Sequence, residues 1–342
     1  MKLEQNVPLA DYTTFKIGGP ARYFCIARSG AEVVEALSFA HKDNRRALVI
    51  GGGSNVLISD AGFSGVVIKN EIMGKALVPM GGGDYRLTAG AGESWDEVVQ
   101  MAVENDLHGI ENLSAIPGTI GAAPVQNIGA YGVEIANSVI TVRAVDTKTL
   151  QYVKFSGKEC KFGYRDSIFK HKKGRYIILQ VDLRLKKKGK VNIEYKDLKD
   201  YFAKANISKP TIQQVRDAVI DIRWHKLPDW KLWGTAGSFF KNPVISKSRF
   251  DKLKAQYPAL PGFPEPGGKR VKVSLGWILD NICHVKGTMV NNVGSYERQA
   301  LVIIAKQPGA TAAQVVARTK EIAELVEKMT TIKIEAEVEW VN

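Results

Sequence analysis

The chain has 342 residues, of which 45% are apolar and 24% charged, with a formal net charge of +13 and three cysteines. That length exceeds one comfortable core, so two or three domains are expected, stable without covalent staples. No run approaches the ~18 apolar residues of a membrane span, and Cys25, Cys160 and Cys283 are too scattered for a zinc site or a disulfide framework.

The opening segment MKLEQNVPLADYTTF lacks a continuous apolar stretch, which argues against a secretory signal and for a cytoplasmic protein. Residues 31–43 carry apolar positions at helical spacing, and ALVIG at 47–51 reads as a short buried strand. Residues 94–106 form a helix with Ser94 as its N-cap and acids in its first turn. From residue 139 the period becomes two, predicting a hairpin about the Asp146–Thr149 turn. The break NISKP at 206–210 reads as a domain boundary, followed by a helix over 211–225. Residues 257–268, rich in proline and glycine, read as loop. Helices are expected at 274–282 and 311–329, and strands at 300–305 and 331–341. Helices and strands alternate without a repeat, so the fold class is α+β.

The positive charge has several readings. The run RLKKKGK at 184–190 follows an alternating strand and reads as its solvated turn. Nucleic-acid binding would call for an arginine-rich helix, a finger spacing or an aromatic ribonucleoprotein motif, and none is present. An enzyme whose ligands carry phosphates and carboxylates also suits a positive field.

Glycine concentrates in IGGGSNVLI (50–58) and in the nearly chargeless segment 113–132. Neither fits G-x-x-x-x-G-K-[ST], nor G-x-G-x-x-G opening a helix, so P-loop and dinucleotide motifs are excluded. Both can present backbone amides to phosphate oxygens, and a loop as long as 113–132 in a compact protein is usually functional. Ser238, in GTAGSFFKNP, lacks the marks of a nucleophile. Phe240 breaks the G-x-S-x-G pattern, and no base is written beside it. Arg165 stands next to Asp166, and in the last strand Glu335, Glu337 and Glu339 share one face.

GGGSNVLI, IPGTIGAAPVQNIGAYG, FGYRDSIFK, AGSFFKNP and IEAEV, in this order from about residue 13 to the C-terminus, resemble the UDP-N-acetylenolpyruvylglucosamine reductases of the larger, type I branch. These flavoenzymes make UDP-N-acetylmuramate for peptidoglycan. The resemblance implies an FAD-binding fold of the vanillyl-alcohol oxidase type, with subdomains at 1–72 and 73–205. It also implies an α+β substrate-binding domain at 206–330, with the strand 331–342 returning near the first subdomain. FAD would be bound non-covalently by Gly51, Gly52, Gly53, Ser54 and Asn55, and by Ile116, Pro117, Gly118, Thr119, Gly121, Ala122, Gln126, Asn127 and Gly129. NADPH would be the co-substrate, with no metal, no nucleic-acid or membrane partner, and a monomeric chain.

The same resemblance assigns Arg165 to the substrate carboxylate and the developing enolate, with Asp166 able to orient it. Glu337 matches the catalytic glutamate and Ser238 the proton donor. Tyr131, Tyr195, Arg223, Lys226, Asn242, Lys272 and Gln299 match substrate-contact positions. The glycines and phenylalanines around Ser238 would form a tight apolar turn facing the flavin. The chain departs from many relatives at Ala122 and Ala123, where they carry serine, and at Glu339, where they carry arginine. An oxidase of the same flavin superfamily would instead need covalent attachment at a histidine or cysteine such as His41 or Cys25, both in unsuitable contexts.

Overall fold

The computed structural model describes residues 1–342. It divides into two compact units. The first holds Met1–Val7, Pro20–Gly52 and Phe63–Trp224; the second holds Pro8–Gly19, Gly53–Gly62 and His225–Asn342.

The first unit contains two sheets. In one, the strands Pro20–Ala27, Phe63–Asn70 and Ala47–Ile50 run parallel, and Glu4–Pro8 lies on the outer side of Pro20–Ala27. The helix Gly30–Lys42 covers it with Val33, Ala36, Leu37 and Ala40, the spacing of one helical face, and Ser29 caps it by accepting from Glu32 N. Ala47–Ile50 is the edge strand. That is why only Ile50 is buried in it, and why its expected full burial does not hold.

The other sheet is antiparallel, in the order Tyr152–Ser156, Val139–Asp146, Tyr176–Lys186, Asp84–Gly90, Lys75–Gly81. The expected hairpin is its outer pair, turning on Asp146, whose Oδ1 accepts from Lys148 N and Thr149 N. The helix Trp95–Glu104 buries Trp95, Val98, Val99, Ala102 and Val103 in the core of this unit. Ser94 occupies the N-cap, but its hydroxyl makes no capping bond; its backbone bridges to Thr119 instead.

The break at 206–210 separates two helices that pack on each other. Leu198 and Phe202 of Lys196–Lys204 meet Val215, Ala218, Val219 and Ile222 of Ile212–Lys226. The longer helix is tied into the first unit by Arg216, whose guanidinium clasps both oxygens of Asp96 at 2.7 and 2.9 Å.

In the second unit a sheet is ordered Gly234–Ser238, Val302–Ala305, Val293–Ser295, Met289–Val290. A smaller sheet of Val244–Ser246, Arg270–Val273 and Gly262–Pro264 includes a short strand within 257–268, which the sequence reads as loop throughout. The helix Ala312–Thr330 begins with a reciprocal capping box between Thr311 and Gln314, and Asp60 accepts from the N–H groups of Ala312 and Ala313.

The expected strand 331–341 is regular only at Glu339–Val341, parallel to Val56–Ile58. Before it the chain makes one bridge, Ala336 to Phe240, and the alternation slips: Ile332, Val338 and Val341 are buried while Trp340 is 40% exposed. Phe239 and Phe240 belong to this unit's core beside Phe15.

Candidate functional site

Within the first unit the two glycine-rich turns meet. A Cβ on Gly51 would lie 2.2 Å from Thr119 Oγ1, and one on Gly52 would lie 2.9 Å from Gly118 Cα. No side chain fits between them, so only glycine lets the two turns approach this closely. Thr119 Oγ1 is buried without a hydrogen-bond partner. Gly121 packs against Ala91 so closely that a Cβ would fall 2.6 Å from that residue's Cβ, and its N–H donates to Ala91 O at 3.0 Å. The segment 113–132 is a chain of turns: Ala122 N bonds Thr119 O, Val125 N bonds Ala122 O, and Asn127 N bonds Pro124 O. Ile116 packs on the core of the unit, Ala122 is exposed, and Ala123 is buried.

Asn127 is fully buried and serves the loop's architecture. Its amide donates to Glu134 Oε2 at 2.7 Å and Gly163 O at 2.9 Å, and its Oδ1 accepts from Ala136 N. Beyond it, Gly129–Ala130 and Val133–Glu134 form a small hairpin with Tyr131 and Gly132 at its tip, both at positive φ.

Arg165 reaches this hairpin by donating from Nη2 to Gly129 O at 2.7 Å, and a Cβ on Gly129 would sit 3.0 Å from Arg165 Nη1. Arg165 has φ 52° inside a turn closed by mutual backbone bonds between Gly163 and Asp166. Lys170 Nζ donates to its carbonyl at 3.2 Å, and Asp166 Oδ2 lies 2.6 Å from His171 Nε2. Arg165 is thus held by backbone on several sides, an arrangement that fixes the direction of its fork.

Three of the expected substrate residues come together in the first unit. Tyr131 and Tyr195 meet edge to face with centroids 5.4 Å apart. Arg223 donates from Nε to Ala115 O at 3.1 Å and hydrogen-bonds the Tyr131 hydroxyl. Burial pushes the Tyr131 phenol up to about 12, with Arg223 partly opposing. Arg223 and Lys226 lie three residues apart on the helix Ile212–Lys226, one turn along the same face. Beside Tyr131, a cleft of about 870 Å³ is lined by Gly132, His108, Glu111 and the lysine run through Lys190.

In the second unit, Ser238 ends the strand Gly234–Ser238, opposite Val302. The register breaks between Thr235 and Ser238, and Gly237 has φ 74° with nothing within 4 Å of the place its Cβ would occupy. This bulge re-aims Ser238, which is half-buried. Glu337 N donates to Phe239 O at 2.7 Å, placing Glu337 on the chain that runs beside Ser238.

Gly53 belongs to the same fabric. A Cβ there would strike Tyr12 O, and Thr14 joins it to the serine strand by bonding Gly53 O through its N–H and Thr235 O through its hydroxyl, at 3.1 and 2.6 Å. Asn55 Nδ2 donates to Glu337 O at 3.2 Å. Asn242 spends its Oδ1 on Leu275 N at 3.0 Å, Lys272 Nζ stands 3.7 Å from Glu265, and Gln299 Oε1 accepts from Leu301 N at 3.5 Å.

Cys25 is buried within its sheet, and its thiol is pushed up to about 11 by burial and the nearby Glu32 and Glu35. That is a poor nucleophile for covalent flavin attachment. His41 lies in the last turn of the helix Gly30–Lys42.

A family profile described as FAD binding domain matches residues 21–151, and one described as UDP-N-acetylenolpyruvoylglucosamine reductase, C-terminal domain, matches residues 228–341. A Pseudomonas aeruginosa protein named UDP-N-acetylenolpyruvoylglucosamine reductase is 39% identical over 337 residues, 98% of each chain. A Porphyromonas gingivalis protein of the same name is 39% identical over 342 residues, covering all of both chains. The crystal structure of the Thermus caldophilus reductase of that name superposes with a TM-score of 0.70 over all of both chains at 24% identity, a likeness of fold.

Proposed function

The chain belongs to the UDP-N-acetylenolpyruvoylglucosamine reductase family of FAD-dependent oxidoreductases, and on that premise we propose that it reduces UDP-N-acetylglucosamine enolpyruvate to UDP-N-acetylmuramate with NADPH as the electron source. The reaction serves peptidoglycan precursor synthesis, and we assign it to a monomer in the bacterial cytoplasm. The observation that carries the residue assignment is the pairing of Glu337 N with Phe239 O, which sets the proposed glutamate beside the proposed proton donor, Ser238, within one unit.

The cradle at Gly51, Gly52, Gly118 and Thr119 fits FAD because it offers donors and no side-chain bulk. The chemistry that FAD supplies when bound is hydride transfer, from NADPH and onward to carbon 3 of the enolpyruvyl group. The protein has the charge and the proton to handle. Negative charge develops over carbon 2 and the carboxylate. Arg165 is assigned to meet it with a fork already fixed by Gly129 O, so little reorganisation is needed as charge builds. Glu337 is assigned, with Arg165, to the stabilisation of the same enolate. Ser238 Oγ delivers the proton to carbon 2, completing the addition of one hydride and one proton. Tyr131, Tyr195, Arg223, Lys226, Asn242, Lys272 and Gln299 are proposed to hold the UDP-sugar. For Asn242 the contact falls to its NH₂, because its oxygen is already used.

Acid precipitation separates this reading from an oxidase with attached flavin. Purified protein should be yellow and release all its flavin to the supernatant. Flavin remaining with the pellet, or a colourless protein that takes up no FAD, would sink the reading.

A further inference from the structure

Lys69 carries no motif, yet it stands at the meeting point of the two glycine turns. It lies near the end of the strand Phe63–Asn70, opposite Ile50 in parallel register, and its Nζ donates to Gly51 O at 2.5 Å. That carbonyl is its one hydrogen-bond acceptor, and no carboxylate pairs with it. An ammonium has three donors, so two remain unmet on a half-buried cation. Burial pushes its pKa below the ordinary lysine value, with the charge of Glu71 opposing. On the other side of the same glycine is Thr119 Oγ1, buried and unpartnered. Cation and hydroxyl therefore converge on Gly51, and both seek acceptor oxygens.

We propose that Lys69 binds the diphosphate of FAD, with Thr119 Oγ1 as its neutral companion, and that this lysine supplies the main charge neutralisation at the glycine cradle. The inference rests on the FAD reading: residues 21–151, which match an FAD binding domain, include every group named, and the diphosphate is the anionic part of FAD.

The test is the dissociation constant of FAD for apoprotein, measured at low and high salt, alongside the melting temperature of the apoprotein. Lys69→Met should weaken FAD about 10–100-fold at low salt and flatten the salt dependence. Its apoprotein should melt no lower than wild type, because a poorly paired cation has been removed. Lys69→Arg should keep the salt dependence, and Thr119→Val should weaken FAD without changing the salt slope. Unchanged FAD affinity in Lys69→Met, or weakened affinity with a lower apoprotein melting temperature, overturns the inference alone. Wild-type apoprotein that takes up no FAD overturns the cofactor reading as well.

Discussion

Asn55 is bound to Glu337 through its side chain, Nδ2 donating to Glu337 O at 3.2 Å, while its own carbonyl accepts from Glu339 N at 3.0 Å. The glycine-rich turn thus fixes the backbone that carries the proposed catalytic glutamate. Asn55→Ala removes the side-chain bond to Glu337 O. We expect reoxidation of reduced flavin by substrate to slow about 10-fold, with flavin reduction by NADPH nearly unchanged. Combining it with Glu337→Gln should add little further slowing, the non-additivity of residues acting as a unit. Full additivity would assign Asn55 to another role.

Ser238→Ala keeps the bulge at Gly237 and the strand pairing with Val302, because both are backbone features. Stopped-flow traces should show NADPH-driven flavin reduction largely intact and substrate-driven reoxidation slower by roughly 10³-fold or more. Equal slowing of both half-reactions would point to damaged flavin binding and remove Ser238 from the proton-donor role.

The two candidate glutamates separate cleanly. Glu335 is 77% exposed and pairs with Lys241 at 3.1 Å, a surface ion pair of small worth. Glu337 is half-buried, with its N–H tied to Phe239 O. Glu337→Gln should slow reoxidation by substrate by several orders of magnitude, on the order of the loss of one key electrostatic group. Glu335→Gln should stay within a few-fold of wild type. A larger loss at Glu335 would reverse the assignment.

The clasp of Arg216 on Asp96 gives a stability prediction with a definite sign. Burial raises the Asp96 pKa, but the hydrogen bonds from Arg216 and Ala115 N and the positive charge of Arg216 outweigh it, so the carboxyl lies below its ordinary value. A carboxyl lowered by folding stabilises the fold above its unfolded value, near 3.8, and that contribution fades as pH falls through the folded value. Asp96→Asn should therefore lose stability at neutral pH, about 2–3 kcal/mol in chemical denaturation, because Arg216, only 8% exposed, is left without its counter-ion. Its stability should also fall less steeply than wild type between about pH 5 and pH 2. Parallel pH curves would contradict the account.

Local patterns carried most of the secondary structure and much of the chemistry. The helix expected at 311–329 is Ala312–Thr330, because the cap, the period and the end all lie in neighbouring residues. The terminal strand was harder to read. Its alternation is real, but its partners, Phe240 and Val56–Ile58, lie far away in sequence and fix the phase only in part. Motif proximity alone did not reveal that Phe239 and Phe240 pack into the core of the second unit. Lys69 left no signal, since a lysine near the end of an apolar strand reads as an ordinary edge. Its partner, the Gly51 carbonyl, sits on a different turn. Asp96 and Arg216 were silent for the same reason, being joined across 120 positions.

The central claim is that electrons pass from NADPH through bound FAD to an enolpyruvyl sugar nucleotide. Its most direct measurement is an anaerobic titration of the purified yellow protein, bleached with one equivalent of NADPH and then mixed with UDP-N-acetylglucosamine enolpyruvate. The account predicts that the flavin absorbance returns in proportion to substrate added, with an equal amount of UDP-N-acetylmuramate formed. A flavin that stays bleached with that substrate, yet reoxidises at once in air, would contradict it.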